Sequence, residues 1–146
     1  MIEPIWLLLG VLAIALLAFA VVSRGASAPR RGKKSSQRMS IDKEFVSRKW
    51  ANIQTMSQAS GSSLKDAVNE ADKLLDYAMK GSGFRGTTMG ERLKNHGGRF
   101  SDINSVWSAH KLRNALAHEA DFDLVPSQAR EAVKNFERAL KDLGAL

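Results

Sequence analysis

The chain of 146 residues contains no cysteine. That excludes disulfide staples and thiolate catalysis, and it is compatible with a reducing compartment. Nowhere after the N-terminal region does the sequence alternate apolar and polar residues with the period of a strand, so no sheet is predicted. Metal-ligand spacing is missing as well. His110 and His118 are separated by two helical turns, and neither a Cys nor a His-x3-His pair adds ligands, so no metal and no cofactor is expected. The stretch Gly81-Ser82-Gly83-Phe84-Arg85-Gly86-Thr87-Thr88 has the composition of a phosphate-cradling loop, but no strand precedes it and no Lys-Ser/Thr pair closes it. It reads as a connection between helices. The folded part also lacks a strong charge of one sign. The whole chain carries a formal +7, yet residues 39–146 hold 16 Lys plus Arg against 14 Asp plus Glu. Broad electrostatic capture of nucleic acid is therefore weakly supported, and any RNA contact has to be local.

One long apolar run is present. Ile5 to Val22, IWLLLGVLAIALLAFAVV, has no charged side chain and only the Trp6 indole as a hydrogen-bonding group. As a helix it is about 27 Å long, close to the roughly 30 Å of a bilayer's hydrocarbon layer, with Trp6 placed as an interfacial anchor. Ala26-Ser27-Ala28 superficially matches a signal-peptidase site, but Glu3 stands where a basic residue is expected, Arg24 precedes the site and Pro29 would follow the cut. An uncleaved transmembrane anchor over residues 1–23 is the favoured reading. Arg24, Arg30, Arg31, Lys33, Lys34 and Arg38 follow the run, whereas its other flank has only Glu3. The positive-inside rule then predicts a single-pass protein of the cell membrane with its C-terminal domain in the cytoplasm. The same cations favour the anionic headgroups of the lipid bilayer, with a nucleic-acid arm as the rival reading. Residues 24–39, rich in Gly, Ser, Pro and basic side chains, form a flexible linker, and residues 40–146 are enough for one small domain.

That domain is predicted to be all-α, an antiparallel bundle of four main helices plus one short helix. Ser40 is expected to cap a first helix carrying Ile41, Phe45, Trp50, Ile53 and Met56, which ends at Ser60-Gly61-Ser62-Ser63. A second begins near Ser63, with Leu64, Ala67, Val68, Ala71, Leu74, Leu75, Ala78 and Met79 at spacings of three and four, and stops at Gly81 and Gly83. Thr88 and Glu91 have the spacing of a capping box and open a short helix to about Asn95. His96, flanked by Gly97 and Gly98, reads as an exposed turn residue. Ser101 is expected to cap the next helix, with Ile103, Val106, Trp107, Leu112 and Leu116, and Pro126-Ser127 to open the last, with Ala129, Ala132, Val133, Phe136, Leu140 and Leu143. The tryptophans and Phe136 fall on helical stripes and read as core rather than as base-stacking platforms.

The stretch Lys111-Leu112-Arg113-Asn114-Ala115-Leu116-Ala117-His118-Glu119 holds the candidate chemistry, with Arg113, Asn114 and His118 within six residues. An imidazole exchanges protons near neutrality, and a guanidinium stays charged and can fork onto a phosphate. At about 100° per residue, Asn114 and His118 lie about 40° apart and His110 precedes Asn114 by the same step, but Arg113 points about 140° away from His118. The set closes if the Arg side chain bends round, if the helix kinks, or if two copies of the helix meet across a dimer axis.

An Arg followed by a polar residue and, after four intervening positions, a His, then a short extended stretch and a closing amphipathic helix, resembles the HEPN superfamily (higher eukaryotes and prokaryotes nucleotide-binding domains). AHKLRNALAHEADFDLVPSQAREAVKNFERAL matches best, and ADKLLDYAMK resembles the family's earlier bundle helix. The resemblance implies a helical bundle that forms a homodimer with paired motifs at the interface, and an RNA or nucleotide ligand. In catalytic relatives it implies metal-independent endoribonuclease activity, with His118 helping to activate the ribose 2′-hydroxyl or to protonate the leaving oxygen, Arg113 steadying the phosphorane and Asn114 orienting the site. The alternative function is a noncatalytic helical dimerisation or interaction domain at the membrane with an unidentified partner protein. A structural reading of the residues competes too: Arg113 pairs with Asp121 or Asp123, Asn114 bonds across the bundle, and His118 faces the helix dipole.

Overall fold

Apolar side chains at spacings of three and four give each segment of the domain one face to bury, and helices form wherever such a stripe begins behind a cap. The computed structural model describes residues 40–119 and 122–146; the expected membrane anchor 1–23 and linker 24–39 lie outside the described residues, as do Ala120 and Asp121. Among the described residues the architecture is α1 (Lys43–Gln58), α2 (Ser62–Gly81), the short α3 (Met89–His96) with a one-turn 3₁₀ helix (Gly97–Arg99), α4 (Ile103–His118) and α5 (Pro126–Asp142). No described helix is long and apolar enough to cross a membrane.

Two of the expected caps are misplaced by one or two residues. Asp42, not Ser40, caps α1, its Oδ1 accepting from the Phe45 amide at 2.9 Å; Asp102, not Ser101, caps α4 by accepting from the Ser105 amide at 3.0 Å. A carboxylate satisfies the free amides as a hydroxyl does and adds a favourable charge at the helix N-terminus, and at both helices the aspartate takes the cap. Ser101 takes a different role, donating its amide and hydroxyl to Asp142 Oδ2 at 2.8 and 2.9 Å. At α3 the capping box forms in modified shape. Thr88 Oγ1 accepts from the Glu91 amide at 3.1 Å, while the Glu91 carboxylate reaches one residue further back, to the amide and hydroxyl of Thr87, both at 2.7 Å.

α2 is the hub, packed against α1, α4 and α5. The chain reverses between α1 and α2, so that Tyr77 near the end of α2 packs against Phe45 at the start of α1, with ring centroids 5.1 Å apart and the rings tilted by 59°. It reverses again between α4 and α5, where Ser101 ahead of α4 holds Asp142 at the end of α5. The stripes converge on a core whose fully buried members include Phe136, Ile53, Leu75, Met79, Leu93 and Leu140. Val46, absent from the expected stripe of α1, is buried with Trp50 and Ile53, while Ile41, Phe45 and Met56 pack at the edge.

Phe136→Ala is expected to lower unfolding free energy by about 3–5 kcal/mol, read as a shifted midpoint in denaturant with unchanged slope, because the packing around a fully buried phenyl closes only partly over the space it leaves. The Glu91 carboxyl sits below its ordinary value of 4.5, chiefly because the Thr87 amide and then the Thr87 hydroxyl donate to its anion. A depressed native value stabilises the fold above pH 4.5, and that contribution is lost as pH falls through the lower native value. Thermal melts at descending acidic pH should therefore lose less stability in Glu91→Gln than in the parent.

Candidate functional site

Asp72 sits in the middle of the apolar stripe of α2, between Ala71 and Leu74, and is 3 % exposed. A carboxylate taken from water costs several kcal/mol unless charges and donors meet it. α4 supplies both. His110 Nδ1 donates to Asp72 Oδ1 at 2.7 Å, and Arg113 Nε lies 3.2 Å from Oδ2. His110 and Arg113 are three residues apart and so share a face of α4. The Arg113 Nε–H does not point along the line to the carboxylate, so this contact acts through charge rather than as a directed hydrogen bond. Arg113 Nη1 donates to Asn114 Oδ1 at 3.1 Å, which fixes the two polar side chains side by side.

One turn further along α2, Asp76 repeats the arrangement. Its Oδ1 accepts from Arg92 Nε at 2.9 Å and also from Arg92 Nη2, and its Oδ2 pairs with Lys80 at 2.6 Å. Arg92, 4 % exposed, also donates through Nη1 to the Gly86 carbonyl. Gly86 has φ +151°, and a Cβ there would lie 2.9 Å from the Arg92 amide nitrogen, so only glycine lets the loop cross so close to α3. Between α2, this loop and α4 lies a polar cleft of about 540 Å³, lined among others by Asp72, Asp76, Arg92, His110, Arg113 and Asn114. With Lys80 and Lys73 on its rim, the latter paired with Glu70 at 2.8 Å, four cationic side chains line the cleft against two carboxylates. That balance favours an anionic guest.

Of the three residues singled out in the sequence, Arg113 and Asn114 line this cleft together. His118, the last residue of α4, is exposed and does not line it. α4 runs from Ile103 to His118 as one helix, and Arg113 turns towards Asp72. The carboxylate opposite Arg113 is thus Asp72 on α2; Asp123 is exposed, and Asp121 lies outside the described residues. His110, which shares a helical stripe with Asn114, is buried at 8 % exposure. His96 is not a free turn residue: its Nε2 accepts from the Arg85 amide at 2.9 Å and its ring stacks on Phe84 at 4.4 Å.

Sequence reasoning missed Asp72, Asp76 and Arg92. A signal existed for the first two, since acids four apart interrupt an otherwise apolar helix face; Arg92, beside Leu93 on a short helix, offered none. A larger cavity of about 740 Å³ lies on another side of α4, against α5, but its mostly apolar lining around Leu112, Ala115 and Phe122 brings little titratable chemistry. Among the described residues no group of three His, Cys, Asp or Glu could hold a metal ion.

Asp76→Ala leaves the Arg92 guanidinium buried without its anion and is expected to cost about 3–5 kcal/mol in chemical denaturation. Lys80→Ala, which removes a half-exposed partner of the same carboxylate, should cost under about 1 kcal/mol.

Compared with models of protein families, with curated proteins and with solved structures, the chain matches none.

Proposed function

We propose that the protein is a membrane-anchored helical domain that binds RNA or a nucleotide through phosphate and cleaves RNA without a metal. In this reading residues 1–23 span the cell membrane, residues 24–39 meet anionic headgroups, and the bundle lies in the cytoplasm. The resemblance to HEPN domains supplies the reaction class. The observation that carries the reading is the pairing of Arg113 with Asn114 on the wall of an open cleft with a cationic excess. A phosphodiester seated there would meet a guanidinium already oriented by Asp72, in a partly enclosed site where charge acts more strongly than in bulk water. His118 stands exposed at the end of the same helix, where an imidazole can reach into the site of a second copy. A noncatalytic interaction domain is the second reading. It is favoured by the same Asp72 contact, since a buried carboxylate that neutralises Arg113 also serves as a structural lock between α2 and α4.

The full chain, purified in detergent, should cleave mixed RNA in EDTA. Arg113→Ala and His118→Ala should each lower the rate by about 10²–10⁴-fold, with circular dichroism unchanged. Light scattering should give a dimer. RNA left whole by the parent would support the interaction domain instead.

A further inference from the structure

Cleavage of RNA by its own 2′-hydroxyl involves two proton movements on opposite sides of phosphorus, and two different histidines of this chain can serve them. We propose that His110, held by Asp72, is the base that takes the 2′-hydroxyl proton, and that His118 serves the leaving oxygen; the inference rests on the ribonuclease reading above. The geometry is that of an oriented acid–base dyad. His110 Nδ1 is occupied by Asp72 Oδ1 at 2.7 Å, so an ionised carboxylate keeps the proton on Nδ1 and leaves the Nε2 lone pair as the basic site. His110 lines the same cleft as Arg113 and Asn114, although it is otherwise buried. A phosphate beside Arg113 therefore places its attached ribose within the space that His110 borders. In the step, the 2′-oxygen bonds to phosphorus as its proton passes to His110 Nε2, the bond from phosphorus to the 5′-oxygen breaks, and that oxygen takes a proton from His118. The products are a 2′,3′-cyclic phosphate and a 5′-hydroxyl end, with no redox change and no net proton consumed. Asp72 is a positioning residue, since it touches His110 and Arg113 rather than the reacting atoms.

The charged groups that line the cleft with His110 are Asp72, Asp76, Lys73 and Lys80 of α2, Arg92 of α3 and Arg113 of its own helix. As a base, His110 works when neutral, so activity rises with pH through its titration and forms the acid limb of the pH–rate profile. Asp72→Asn removes the anion that keeps the proton on Nδ1, so it should slow cleavage. His110→Gln in the full chain should lower cleavage by about 10²–10⁴-fold while RNA binding in a filter assay persists. An RNA with sulfur in place of the bridging 5′-oxygen separates the two histidines, because a thiolate leaves without a proton. It should restore His118→Ala and fail to restore His110→Gln.

Parental cleavage by His110→Gln, or its rescue by the sulfur substrate, overturns the assignment while leaving the ribonuclease reading intact. An inactive parent overturns both. If His110→Gln does not fold, ¹⁵N-histidine spectra of the parent decide. A neutral tautomer protonated at Nδ1, with a midpoint that the acid limb follows, is the expected result, and a limb that ignores this midpoint overturns the assignment.

Discussion

One buried carboxylate organises the domain. Asp72 lies where the pattern of α2 calls for an apolar side chain, and the cost of taking its charge out of water is met only because α4 brings His110 and Arg113 to its two oxygens. This demand acts on the packing of the helices. Apolar stripes bring α2 and α4 together but tolerate small sliding, whereas a carboxylate with one imidazole and one guanidinium has few acceptable positions. The rotation of α4 that places Arg113 and Asn114 on the cleft follows from the same contact. Stability and site geometry are thus coupled at a single side chain.

The helices were legible because their stripes and breaks are local. Leu64 through Met79 repeat at helical spacing, and Gly81 and Pro126 punctuate the chain where helices end and begin. Cap positions were less legible, since Asp42 competes with Ser40, and Asp102 with Ser101, within two residues, and the choice turns on which side chain meets the free amides. The site was only half legible. Arg113 and Asn114 could be found as neighbours on one helix, but the partner that orients Arg113 comes from 41 positions earlier in the chain. Nothing in local periodicity predicts which carboxylate on another helix a guanidinium will meet. His96 failed for a related reason: its role depends on Phe84 and on the Arg85 amide across the α2–α3 connection.

The placement of the histidines changes what the Arg-Asn-x3-His pattern means in this chain. Read as a linear motif, it assigns all proton chemistry to His118, which is exposed at the end of α4. Read in three dimensions, the imidazole that shares a carboxylate with Arg113 is His110, one turn earlier on the same helix. In the proposed reaction each protomer would supply one oriented histidine from within its bundle and one from its surface. Dimerisation would then complete the centre instead of creating it.

Arg92 gives the cleft a property that no one residue of it has. Its guanidinium ties Asp76 of α2 to the Gly86 carbonyl, and so clamps the connecting loop to the bundle before any guest arrives. Loops that order only on contact subtract the entropy of that ordering from affinity. Here the fixation is completed during folding, so an anion entering the cleft would meet a rim already in place, and selection by shape would add to selection by charge.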